Sequence, residues 1–135
     1  MLRWNRRLSL VALVALLPAF AGCSRVAHVS GRVVEDGKPY APTDEMVALL
    51  FANEDASMSL SVSVQKDGTF VVYGPSGEGL PPGKYKVGYY SDVEGGRKKR
   101  IKDLQPDKSP LELDLTRGGD HKIVVDIVNG TMSQE

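Results

Sequence analysis

From Val29 onward, apolar residues recur at every second position in short runs, and each run stops at a glycine, a proline or an Asp-Gly pair. A period of two sends successive side chains to opposite faces of a strand, whereas an amphipathic helix needs a period near 3.6. The clearest run is Ser57 to Val64, with Leu60, Val62 and Val64 on one face and Ser59, Ser61 and Ser63 on the other. Lys66-Asp67-Gly68-Thr69 then reads as a turn and Phe70 and Val72 resume the alternation, so Ser59 to Tyr73 is predicted to form a hairpin. Val29 and Val33 share a face with Gly31 ahead of a tight turn at Asp36-Gly37. Met46 to Ala52 is nearly continuous apolar sequence, which fits a strand buried on both faces or a helical turn. Gly74 to Gly83 is a glycine- and proline-rich connector. After it, Tyr85, Val87 and Tyr89 point one way and Lys84, Lys86 and Tyr90 the other. Leu111, Leu113 and Leu115, a turn at Arg117-Gly118-Gly119-Asp120, and Ile123, Val125 and Ile127 close the chain. About seven short strands with turn signals and little helix predict an all-β, antiparallel sandwich.

The first 22 of the 135 residues stand apart from this pattern. Met1 to Arg7 is basic, and Leu8 to Phe20 is an apolar run broken only by Ser9 and Pro18. A membrane span needs about 20 apolar residues, so this shorter run is expected to be an export signal and the domain extracytoplasmic. Leu16-Leu-Pro-Ala-Phe-Ala-Gly-Cys23 resembles a bacterial lipobox, in which Cys23 becomes the lipid-modified N-terminus and membrane anchor. Cleavage at Ala19-Phe20-Ala21 would instead release a soluble chain with a free thiol. The expected organisation is a signal peptide at 1–22, a lipidated tether at 23–28, a sandwich at 29–129 and a tail at 130–135.

Three of the 17 Lys+Arg (Arg3, Arg6, Arg7) lie in the leader, leaving 14 against 17 Asp+Glu and a net charge of −3. That balance argues against nucleic acid as a partner. A single cysteine excludes an intramolecular disulfide and a multi-thiolate zinc site.

Val29-Ser-Gly-Arg-Val-Val-Glu-Asp-Gly-Lys-Pro39, Lys66-Asp-Gly-Thr-Phe70 and Leu80-Pro-Pro-Gly-Lys-Tyr-Lys-Val87 together resemble the carboxypeptidase regulatory-like, transthyretin-like domain. Ser109-Pro-Leu-Glu-Leu-Asp-Leu115, with Gly118-Gly119, looks like the small planctomycete-type lipoproteins that carry it. The resemblance implies a seven-stranded, prealbumin-like (Ig-like) sandwich without catalytic activity or cofactor.

Candidate chemistry is sparse. His28 and His121 lie far apart in sequence, and Asp120 beside His121 should point to the opposite face, so an enzyme is not expected. The acidic pairs Asp44-Glu45 and Glu54-Asp55 lack the spacing of a calcium loop and read as solvated charges. Arg97-Lys98-Lys99-Arg100, in the charged Asp92 to Pro110 segment, is the one basic run and the candidate contact to anionic headgroups or an envelope polymer. Tyr73 and Tyr90 should face solvent, Tyr85 and Tyr89 the core. The expected function is a lipid-anchored, non-enzymatic envelope module that contacts another envelope component; the alternative is a binding module for carbohydrate or calcium.

Overall fold

The computed structural model describes residues 26–40, 47–77, 79–91 and 105–135. Cys23, the Asp44-Glu45 pair and the run Arg97 to Arg100 lie outside the described residues. The strands are β1 (Ala27–Glu35), β2 (Lys38–Pro39), β3 (Val47–Asn53), β4 (Ser59–Ser63), β5 (Thr69–Val72), β6 (Lys84–Ser91), β7 (Glu112–Asp114), β8 (Gly119–Asp126) and β9 (Thr131–Gln134), with no helix among the described residues. They make two sheets. One runs β2-β1-β8-β9 with β5 also on β1, and the other runs β4-β3-β6-β7.

The period of two decides which side chains meet between the sheets. Val29 and Val33 of β1, Phe70 and Val72 of β5, and Ile123 and Val125 of β8 pack against Leu49 and Phe51 of β3, Val62 of β4, Tyr85, Val87 and Tyr89 of β6, and Leu113 of β7. The Phe51 and Phe70 rings, one from each sheet, lie 6.4 Å apart at 48°, a tilted geometry that favours ring edge against ring face. Of the Met46 to Ala52 run, the described part, Val47 to Ala52, is strand rather than helix, and Val47, Ala48 and Leu49 are all buried, as a strand covered on both faces requires.

Four expectations need correction. The sandwich is not wholly antiparallel, because β1 and β8 run parallel over eight register pairs from Ala27↔Gly119 to Val34↔Asp126. Their partnership closes about 90 residues of intervening chain, which no local pattern can announce. The described residues form nine strands where about seven were expected, since the two-residue β2 and the terminal β9 both join the first sheet. The sandwich also extends past the bounds 29–129: β1 begins at Ala27, within the residues read as tether, and Thr131 to Gln134, read as tail, pairs with β8.

The fourth correction concerns the Ser59 to Tyr73 hairpin. Its turn forms, with the Gln65 N–H donating to the Thr69 carbonyl at 2.8 Å. Its strands part, β4 pairing with β3 and β5 with β1 in the other sheet. The turn is a corner between layers. Gly68, at φ 84, permits it: a Cβ there would lie 2.0 Å from the Tyr40 carbonyl oxygen.

Where β6 meets the chain before β7, a side chain replaces a backbone donor. Val87 N–H donates to the Leu111 carbonyl at 3.0 Å. The return bond is relayed, since the Leu111 N–H donates to the buried Ser109 Oγ at 3.1 Å and that hydroxyl donates to the Val87 carbonyl. Ser109→Ala removes the relay and leaves two buried backbone groups without their partner. The expected cost is about 1–2 kcal/mol, read as a shift in the urea midpoint at unchanged slope.

Candidate interaction surface

On the outer face of the first sheet, register sets the neighbours. Tyr73, one step past the β5 ladder, stands opposite His28, which pairs with Asp120 of β8. In the next row Val71, Ser30 and Lys122 follow one another across β5, β1 and β8. These residues line a shallow groove of about 470 Å³. Tyr73 is 66% exposed and Val71 42%, and a large aromatic left that open is available for contact with a partner. Beyond the groove, Arg32 and Glu135 form an ion pair at 2.6 Å, both half in solvent, so it adds at most about 1 kcal/mol.

The structure separates the sequence candidates. Asp120 and His121 do point oppositely, Asp120 lying in register with His28 and His121 with Val29. The His121 Nε2 is 2.9 Å from the Gly118 carbonyl, a local bond across the turn. His28 with Asp120 is a juxtaposition that sequence separation concealed. Tyr85 and Tyr89 are buried, and Tyr90 is 50% exposed, as the alternation predicts.

In the Glu54-Asp55 pair the Asp55 carboxylate is engaged by its own turn. The Asp55 Oδ1 already accepts the Ser57 N–H at 3.1 Å and the Ser57 hydroxyl at 2.7 Å. Those bonds outweigh desolvation and hold its carboxyl below the usual 3.8. The same Asp-x-Ser/Thr arrangement recurs at Asp67 with Thr69 and Asp114 with Thr116, so these acids serve as turn caps. Among the described residues no group of three or more His, Cys, Asp or Glu could hold a metal ion.

The most extensive hydrogen-bonded carboxylate among the described residues was not singled out from the sequence. Asp126, only 9% exposed, accepts five hydrogen bonds: from the Asp36, Val128 and Asn129 N–H groups on Oδ1, and from the Gly37 N–H and Asn129 Nδ2 on Oδ2. It pins the β1–β2 turn to the β8–β9 turn. Burial alone would raise its pKa, but the donors from Asn129, Val128 and Asp36 prevail and lower it. The signal available in the sequence was Asn129 three residues after Asp126, a spacing that suits a carboxylate-capped turn.

Comparison with protein-family models, with curated proteins and with solved structures finds no match to this chain. Its function therefore rests on its own residues.

Proposed function

We propose that the chain is a non-enzymatic, lipid-anchored module of the bacterial cell envelope, built as a prealbumin-like, carboxypeptidase regulatory-like sandwich. Acylated Cys23 holds it to the membrane, and an edge or face of the sandwich contacts another envelope protein or polymer. The observation that carries this reading is a sequence that resembles a leader and lipobox ahead of a two-sheet domain whose exposed large apolar residues include Val71 and Tyr73. The buried polar groups support it as well, since Asp126 and Ser109 are both committed to holding backbone. The basic run Arg97 to Arg100 is the proposed contact to anionic headgroups. Anchoring raises the local concentration of the domain, so a weak contact becomes an effective one.

Expression of the full chain in a bacterial host, followed by fractionation and intact mass, tests the anchor. A chain beginning at Cys23 with added acyl mass is expected in the membrane fraction, and Cys23→Ser is expected to block acylation. A soluble product beginning at Gly22 with a free thiol overturns it.

One observation favours a second reading, carbohydrate binding. Tyr73 stands open in the outer groove with His28 and Asp120 beside it, an aromatic surface with polar neighbours of the kind sugars stack on. Saturable glycan-array binding that Tyr73→Ala abolishes would establish it.

A further inference from the structure

Asn129-Gly130, in the turn between β8 and β9, is the one Asn-Gly pair in the chain. An asparagine amide carbon can close a five-membered ring with the backbone nitrogen that follows it, and a following glycine leaves that nitrogen unhindered. The fold holds the amide elsewhere. Asn129 Nδ2 donates to Asp126 Oδ2 at 3.0 Å and to Asp36 Oδ1 at 3.2 Å, and the Asn129 N–H donates to Asp126 Oδ1 at 3.0 Å. Asn129 is exposed, so water reaches its side chain, and these bonds rather than burial restrain it.

Ring closure conflicts with this clamp in two ways. A planar ring brings Cγ into line with the Asn129 carbonyl carbon about the Cα–Cβ bond, between the staggered wells, and that rotation takes the amide off its two acceptors. The tetrahedral intermediate also carries negative charge, which would develop beside the carboxylates of Asp126 and Asp36.

We propose that Asn129 is a deamidation site held closed by Asp126 and Asp36, that it reacts when the β1–β2 and β8–β9 turns part, and that its conversion releases the corner they form. In the reaction the Gly130 nitrogen bonds to Asn129 Cγ and gives up its proton. The Cγ–Nδ2 bond breaks, and that nitrogen leaves as ammonia with the proton. Water then adds across one of the two ring C–N bonds, which leaves aspartate or isoaspartate at this position. The product has lost its donor. Where Nδ2 gave hydrogen bonds to two carboxylate oxygens, a third carboxylate now faces them with like charge. Ammonia does not return, so the corner stays released. This inference is independent of the anchor and of any partner.

The test holds the full-length protein in mild detergent at mildly alkaline pH, with and without denaturing urea, and follows Asn129 by peptide mapping that separates the amide, aspartate and isoaspartate forms. Conversion is expected in urea, and to be slower by roughly tenfold or more in the native protein. Asn53, followed by Glu54, is the internal control and should stay unconverted over the same period. Asp36→Gly removes one acceptor of the clamp at a position whose φ of 49 suits glycine. It is expected to speed native conversion severalfold and to leave the rate in urea unchanged. Should Asp36→Gly not fold, the wild type in sub-denaturing urea decides, because its conversion should rise in step with amide exchange at Asn129. Asn129→Asp imitates the product, and Asn129→Ala removes the same bonds without adding charge. Amide exchange at Thr131 to Gln134 is expected to quicken in both, and about tenfold more in Asn129→Asp. An unreactive Asn129 in urea, equal rates in the native and unfolded chain, a folded Asp36→Gly that converts like wild type, or an Asn129→Asp whose β9 exchanges no faster than that of Asn129→Ala would each overturn the proposal.

Discussion

Gly31→Ala is expected to cost about 3 kcal/mol or more of stability, enough to leave a large fraction of the protein unfolded. Gly31 lies mid-strand in β1, in register with Ile123 of β8 and Phe70 of β5. A Cβ placed on it falls 1.9 Å from the Ile123 carbonyl oxygen and 3.0 Å from the far edge of the Phe70 ring. A ring can swing, but a carbonyl held in a ladder can move only with its strand, so relief means separating β1 from its parallel partner. Those two strands are the centre of the first sheet. Chemical denaturation of Gly31→Ala beside its neighbour Ser30→Ala checks this. Ser30 points to the outer groove, and its substitution is expected to stay within about 0.5 kcal/mol of wild type. Equal stability of the two variants would remove the argument.

Asp126→Ala is the second large loss, expected at about 3 kcal/mol. Four backbone N–H groups and one side-chain amide lose their acceptor together. The damage joins two turns, so the β1–β2 end and β9 should loosen as a unit, with faster amide exchange at Gly37, Val128 and Asn129. Asp126→Asn keeps one oxygen and should lose roughly half as much. The charge also sets a pH dependence. The folded pKa of Asp126 lies below its usual 3.8, so the unfolded chain binds its proton more readily. The stabilisation is complete above the unfolded value and disappears as pH falls through the lowered folded one. Asp55, Asp67 and Asp114 act in the same direction. The stability gap between wild type and Asp126→Ala should therefore be widest well above the usual value of 3.8 and narrow as pH falls below it. A stability gap that does not change with pH would show that the carboxylate charge plays no part.

Much of this is legible residue by residue. The inward sets Leu60-Val62-Val64, Tyr85-Val87-Tyr89, Leu111-Leu113-Leu115 and Ile123-Val125-Ile127 follow from the alternation, and only Leu60 among them falls short of full burial. Asp36-Gly37 is a turn with both residues at positive φ, at 49° and 74°, as the Asp-Gly pair signals. The candidate surface was half legible. Tyr73 and Tyr90 were correctly placed outside, but nothing in their positions indicates that Tyr73 meets His28 and Asp120. Asp126 alternates outward and so reads as solvated. It is buried because two turns distant in sequence fold over that end of the sheet.

What the chain determines alone is the facing of each strand and the position of each turn, because both are set by neighbours two to four residues away. Which strand lies beside which is a different kind of fact. Val62 presents the same face whether β4 pairs with β5 across a five-residue turn or with β3, and Val29 presents the same face whether its neighbour runs parallel or antiparallel. Only the competition of all strands for two shared layers of core decides between these, and it set β4 and β5 in opposite sheets. The corner between them exists because that choice was made by the whole fold.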